Sequence, residues 1–169
     1  MRVADKIFEQ LKKEVDTVFY LPGGGSAYLV DALGMSGLQA VSCLNEQGAG
    51  FAAVGYAQHK GFGVCLTTSG PGATNAITPC LAAWMDSVPV LFISGQVQIK
   101  WLAFPGMRSR GPQEADIISI VRPITKLVWQ SLVAKNIMET LEDLIYACKS
   151  GRPGPCWLDI PLDVQNADI

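Results

Sequence analysis

The sequence predicts an α/β protein with three layers, in which a mainly parallel sheet lies between two layers of helices. Segments with helical spacing alternate along the chain with short apolar segments, as in 3–13 followed by 17–21. Several of the short segments, such as Val90-Leu91-Phe92-Ile93, are apolar throughout. A continuous apolar run is typical of a parallel strand that is covered on both faces, whereas a half-exposed strand alternates.

The first half of the chain supplies five elements in turn. Apolar residues at positions 3, 7, 8 and 11 predict a first helix, and the next apolar run predicts a strand that ends in a glycine-rich turn. Ser26 is expected to cap the following helix, because its hydroxyl oxygen can accept a hydrogen bond from a free N–H of the first turn. The expected helices are 3–13, 28–33 and the Ala-rich segment 46–60, and the expected strands are 17–21 and 38–44.

The second half continues the alternation. A strand at 63–68 ends in Ser69-Gly70-Pro71-Gly72, and a single helix is expected after that turn, over 73–86. Residues 95–113 contain several Gly and Pro residues and show no regular pattern. The remaining expected elements are strands at 89–94, 124–127 and 156–160 and a helix at 135–149.

Length and composition limit the classes of protein. The 169 residues suit one domain, and only 17% are charged, so part of the surface is expected to be covered by a partner. A net charge of −2 without a basic run argues against a nucleic-acid partner. No transmembrane helix and no signal peptide are predicted. The five cysteines, with no CxxC pair, are expected to be buried reduced thiols in a cytoplasmic protein.

The domain itself is expected to occupy residues 1–162, and the polar tail 163–169 is expected to start a linker. In open parallel sheets, ligands bind outside the carboxyl ends of the strands. That rule singles out three loops, at 21–26, 44–47 and 68–75.

Each of these three loops carries a motif with two interpretations. The glycines of Pro22-Gly23-Gly24-Gly25 either let a ligand approach the backbone closely or only allow the chain to turn. Their spacing matches neither a dinucleotide-binding fingerprint nor a P-loop. Glu46 lies where an apolar strand meets a helix, so it either complements the helix dipole or is a buried acid that shares a proton with a ligand nitrogen. The Gly-Pro-Gly turn before Asn75 either offers polar groups to a ligand or is a plain connector.

Taken together, the motifs resemble the pyrimidine-binding N-terminal domain of thiamine-diphosphate-dependent enzymes of the acetolactate synthase type. The segments that carry the resemblance occur in the family's order along nearly the whole chain. They are Leu21-Pro22-Gly23-Gly24, Asn45-Glu46-Gln47-Gly48-Ala49, Gly55-Tyr56-Ala57, Thr68-Ser69-Gly70-Pro71-Gly72-Ala73-Thr74-Asn75, Asp86-Ser87-Val88-Pro89, Ser94-Gly95-Gln96, Gln113-Glu114-Ala115-Asp116, Gly151-Arg152-Pro153-Gly154-Pro155 and Asp159-Ile160-Pro161-Leu162-Asp163-Val164.

The resemblance implies roles for particular residues. In the family, the glutamate that matches Glu46 bonds N1′ of the cofactor's aminopyrimidine and helps the cofactor lose the proton on its thiazolium carbon. The glutamine that matches Gln113 faces the reacting carbon. The residues implied to line the pyrimidine are Pro22, Gly23, Gly24, Pro71 and Asn75.

The resemblance also implies an activity and partners. Family enzymes act on 2-keto acids such as pyruvate, as carboligases (transferases) or decarboxylases (lyases), in assemblies of at least a dimer. A C-terminal domain with a Gly-Asp-Gly motif holds magnesium and the diphosphate, and a middle domain holds FAD in some members. Gly-Asp-Gly does not occur in these 169 residues, and no metal ligands are predicted. This chain alone is therefore expected to be inactive and to need a diphosphate-binding domain from the same gene or a partner chain.

Two departures leave the substrate open. Pro112 stands where the family usually has Phe, and segment 101–110 differs from the usual loop, which suggests a divergent relative in sugar or secondary metabolism. Two other classes also remain. One is a non-catalytic or split-enzyme subunit that keeps the fold and acts only with a partner chain. The other is a nucleotide- or flavin-binding α/β module, which the missing dinucleotide fingerprint disfavours.

Overall fold

The fold is described by a computed structural model that covers all 169 residues. Its six strands are β1 (Thr17–Tyr20), β2 (Gln39–Ser42), β3 (Gly63–Thr67), β4 (Val90–Gln96), β5 (Val128–Gln130) and β6 (Cys156–Pro161). Its eight helices are α1 (Val3–Leu11), α2 (Ala27–Met35), α3 (Glu46–Lys60), α4 (Pro71–Asn75), α5 (Ile77–Asp86), α6 (Ile117–Val121), α7 (Ile137–Lys149) and α8 (Leu162–Gln165).

The six strands form one sheet with the order β2-β1-β3-β4-β6-β5, and every pair is parallel. In the central pair, Val64 lies opposite Leu91. The chain moves outward from β1 to β2 and then returns to the other side of β1 to form β3, so the strand order reverses between β1 and β3. The carboxyl ends of strands at such a reversal form the crevice in which α/β sheets bind ligands.

Helices cover both faces of the sheet, which confirms the three-layer α/β/α prediction. Helices α1, α2, α7 and α8 pack on one face against β-strand residues such as Leu91 and Ile93. Helices α3 to α6 pack on the other face, where the Phe92 ring stacks on the Trp157 ring with centroids 5.2 Å apart. Each fully buried large apolar side chain stabilises the fold by about 1.5–3 kcal/mol, and the two clusters leave β3, β4 and β6 buried along their whole length.

Three details of the sequence-based prediction are wrong. The strand expected at 124–127 lies at β5, because the Thr125 hydroxyl donates to the Val121 carbonyl and continues the preceding turn. The helix expected over 73–86 is divided into α4 and α5, because Pro79 has no N–H to donate to the carbonyl four residues earlier. Ser26 makes no cap; its hydroxyl donates to the Gly23 carbonyl at 3.2 Å and so stabilises the turn.

Residues 163–169, where a linker was expected to start, are packed in this structure. Val164 and Gln165 are buried, the Val3 N–H donates to the Ala167 carbonyl, and the Ile169 N–H donates to the Met1 carbonyl. All five cysteines are free, and every one except the half-buried Cys43 is buried. None of the helices has the length and apolar character needed to cross a membrane.

Candidate functional site

The two glycine-rich turns contact each other where the strand order reverses. The Gly25 N–H, in the turn after β1, donates to Thr68 Oγ1, at the end of β3, at 3.1 Å. A side chain at Gly23 would place its Cβ 2.5 Å from Thr68 Cβ, which is closer than real atoms approach. The turns after β1 and β3 therefore form one continuous backbone surface, and glycine at position 23 is required for their contact.

Glu46 is held at the beginning of α3, next to that surface. The Asn45 side chain caps the helix by accepting from the Gly48 N–H at 2.6 Å, so the first turn of α3 is fixed. Glu46 is 9% exposed, and its Oε2 accepts a hydrogen bond from Asn75 Nδ2 at 3.0 Å. A Cβ on Gly72 would lie 3.2 Å from Glu46 Oε1, and this oxygen accepts no hydrogen bond within the chain. The carboxylate thus has one oxygen anchored and one available.

A hollow of about 500 Å³ opens beside the glycine-rich turns. Gln113 lies on its rim in a left-handed backbone conformation with φ 58°. The Gln113 carbonyl oxygen abuts Gly70, where a Cβ would come within 2.0 Å of it, and Gly70 itself has φ 53°. Both features require glycine at position 70. The hollow is lined by Gly24, Gly25, Ser69, Gln96, Val97, Gln98, Trp101, Pro112, Gln113 and Leu162.

The structure brings the predicted site residues to one edge of the sheet, in neighbouring groups. Gly24 and Gln113 line the larger hollow. Asn75, which binds Glu46, also lines a smaller polar hollow of about 300 Å³. The other predicted site residues lie in the two turns themselves: Gly23 against Thr68, the exposed Pro22 before it, and the exposed Pro71 as the first residue of α4.

A buried polar network behind the larger hollow was missed by the sequence reasoning. Asp159, in the second half of β6, is completely buried and accepts hydrogen bonds from Ser94 Oγ at 2.6 Å, Gln96 Nε2 at 3.1 Å and Gln130 Nε2 at 2.9 Å. Burial raises the pKa of Asp159 to about 6, although the three hydrogen bonds favour its charged form. An acid inside the apolar run of β6 is the signal that could have revealed the network, since acids are almost never fully buried without partners.

The chemistry of this edge suits a flat heterocycle with a polar nitrogen. A carboxylate removed from water, with a free oxygen, can accept a hydrogen bond from a protonated ring nitrogen. The side-chain-free backbone of the two turns allows a ring to approach closely. No group of three or more His, Cys, Asp or Glu side chains is arranged to hold a metal ion.

Comparison with known families agrees with this geometry. Residues 1–120 match the family model of the thiamine pyrophosphate enzyme N-terminal TPP binding domain, thiamine pyrophosphate being another name for thiamine diphosphate. The chain belongs to this family. The resemblance noted in the sequence is thereby confirmed.

Acetolactate synthases are among the curated proteins that are similar to this chain. The large subunit from Corynebacterium glutamicum is 44% identical over 156 residues, which is 91% of this chain and 24% of that protein. The chloroplastic enzyme of Arabidopsis thaliana is 39% identical over 96% of this chain, and the isozyme 2 large subunit of Escherichia coli is 40% identical over 90% of it. The chain spans about a quarter of the length of these relatives, 24% and 27% in the last two.

Proposed function

We propose that this domain holds the aminopyrimidine of thiamine diphosphate in an enzyme of the acetolactate synthase type that acts on 2-keto acids such as pyruvate. The observation that carries the proposal is the buried Glu46 carboxylate, which has one free oxygen and lies beside the two glycine-rich turns that contact each other. When bound, thiamine diphosphate supplies the nucleophilic carbon and the electron sink for cleavage next to a carbonyl.

Glu46 is the proposed catalytic acid–base residue. Its Oε2 is fixed by Asn75, which leaves Oε1 to share a proton with the pyrimidine nitrogen. A hydrogen bond to a carboxylate in a low-dielectric site is stronger than one in water, so the protonated ring nitrogen is favoured there. Pro22, Gly23, Gly24 and Pro71 are proposed to flank the ring.

Gln113 is the proposed second catalytic residue. It lies on the rim of the larger hollow, and the left-handed backbone at this position fixes where its side chain starts. Its amide can donate to a carbonyl or carboxylate oxygen of a 2-keto acid. Its contact with Gly70 ties its position to the same turn that carries Pro71.

The remaining parts of the enzyme are proposed to lie outside these residues. The diphosphate and its magnesium need hard oxygen ligands from a further domain, in the same chain or a partner, and FAD would belong to a middle domain. We propose an assembly of at least a dimer, with α3 and α5 as the interface, because both helices expose apolar residues. The free cysteines support a cytoplasmic location.

A non-catalytic or split-enzyme subunit is the alternative. The buried Glu46 favours the catalytic proposal, because folding alone does not need an acid in a nearly dry site.

The test is Glu46→Gln in this chain combined with a diphosphate-binding domain from an acetolactate synthase. Glutamine keeps the shape of the side chain but cannot take up the proton, so we expect thiamine-diphosphate-dependent pyruvate consumption to fall by a factor of about 100 or more. Glu142→Gln is the matched control, because Glu142 is exposed on α7, away from the site. Unchanged activity of the Glu46 variant would contradict the proposed role.

A further inference from the structure

Gln165, in the short helix α8, reaches across the fold to the glycine-rich turn after β1. Its side chain is completely buried. The amide nitrogen Nε2 donates to the Gly25 carbonyl and to the Ile160 carbonyl, both at 2.8 Å. A residue 140 positions further along the chain therefore holds one peptide group of the turn.

The two carbonyl partners require a hydrogen-bond donor at position 165, and they fix the orientation of the Gln165 amide. If the amide group were rotated by half a turn, its oxygen would face two other acceptor oxygens, which is unfavourable. In the observed orientation, Gln165 Oε1 is buried without a hydrogen-bond partner. An unpaired buried acceptor destabilises the fold, so this glutamine is less favourable for folding than a fully paired side chain.

The backbone of Gly25 is held from three sides, through its N–H and through its carbonyl. Its N–H donates to Thr68 Oγ1, and its carbonyl accepts from Gln165. On the third side, a Cβ on Gly95 would come within 2.0 Å of the Gly25 carbonyl oxygen, so β4 packs directly on the turn. Gly25 and its neighbour Gly24 line the larger hollow.

We propose that Gln165 is a positioning residue that holds the turn after β1 in the conformation facing the cofactor. It acts through the Gly25 carbonyl and touches neither cofactor nor substrate. Its relevance to the cofactor rests on the proposed function, but the contact between Gln165 and the turn can be tested without any cofactor.

The experiment measures amide hydrogen exchange by NMR in the wild-type chain and in Gln165→Met. Methionine fills a similar volume but donates no hydrogen bond. We expect the amides of Gly25 and Ser26 to lose protection by a factor of about 10 or more relative to the amide of Ile93 in β4, which reports on global unfolding. Parallel loss at all three amides, with no extra loss in the turn, would overturn the proposal.

Gln165→Glu adds a readout that general destabilisation does not produce. A carboxylate facing two carbonyl oxygens repels them, whereas the protonated acid can donate one hydrogen bond. We expect protection of the Gly25 amide, measured relative to the same amide of the wild-type chain at each pH, to recover as the pH is lowered from about 7 to about 5 in this variant. Gln165→Met should show no such recovery.

Gln58→Glu is the matched control. Gln58 is exposed on α3, so this substitution makes the same chemical change at the surface. A pH-dependent recovery in this control, or its absence in Gln165→Glu, contradicts the proposal. The measurement contains no cofactor, so its outcome is independent of the Glu46→Gln test.

Discussion

At Asp159, burial and hydrogen bonding act on the same carboxyl group in opposite directions. Removal from water disfavours the charged form, whereas the donors on Ser94, Gln96 and Gln130 favour it, and burial prevails. The network links the carboxyl ends of β4, β5 and β6. Gln96 also lines the larger hollow, so the protonation state of Asp159 affects a side chain in the wall of the site.

This raised pKa predicts a pH dependence of stability. The pKa of Asp159 is about 6 in the folded chain, against an ordinary value of 3.8. Between these values the folded protein binds a proton that the unfolded chain has released, so this group's contribution to stability is full below pH 3.8 and is lost as the pH rises to about 6. The loss is on the order of 3 kcal/mol, since one pKa unit corresponds to about 1.4 kcal/mol.

The measurement is the free energy of unfolding by urea between about pH 4 and pH 7, for wild type and Asp159→Asn. The free energy of unfolding of wild type minus that of Asp159→Asn isolates this group from the other carboxylates. We expect that difference to decrease as the pH rises over the interval. Asp143→Asn, an exposed change on α7, should give a constant difference. A constant difference for the Asp159 variant would show that the carboxyl is charged throughout.

At the scale of elements, the start of α3 fixes the position of the Glu46 side chain. The helix starts at Glu46 because the Asn45 side chain accepts from a free N–H of the first turn. It ends at Lys60, before Gly61, whose backbone has φ 90°. The cap therefore contributes to stability and to the position of the carboxylate together.

We expect Asn45→Ala to lower the free energy of unfolding by about 1 kcal/mol, since alanine cannot accept the hydrogen bond from the Gly48 N–H. Asn45→Ser retains a capping oxygen and should lose only a few tenths of that. Urea unfolding of both variants checks the prediction. If serine and alanine are equally destabilising, the cap is not the cause.

The elements also show what a single sequence can predict. The alternation of apolar runs and helical spacing was enough to place β1, β3, β4 and β6, because strands covered on both faces have a strong signal. The short edge strand β5 was misplaced, since its three residues have a mixed burial pattern. The helix break before α5 could have been predicted from Pro79, which removes one backbone donor.

At the scale of the whole molecule, the site was predictable where it follows from strand order and hidden where it depends on distant contacts. Loops after parallel strands meet at one edge, so Glu46 and Asn75 could be expected near each other. The approach of Gln165 to Gly25 depends on how β6 and α8 sit against β1 and β4, which no local pattern specifies. Asp159 gave only a weak signal, one acid in an apolar strand.

At the surface of the whole molecule, helices α3 and α5 form a candidate interface. Side chains on α3 and α5 remain exposed although they are apolar, namely Phe51 (44%), Leu81 (40%), Trp84 (39%) and Met85 (66%). Exposed apolar groups that lie close together mark interaction surfaces, and the low share of charged residues is consistent with a covered face.

We expect the chain to self-associate through this face, and the double variant Phe51→Lys with Leu81→Lys to abolish association, because two charges would be buried without partners in the interface. Sedimentation velocity over a range of concentrations checks this, with circular dichroism to confirm folding. Met35→Lys is the control, since Met35 is 83% exposed on α2, a helix that covers the opposite face of the sheet. Association that survives the double variant, or that is lost equally in the control, would place the interface elsewhere.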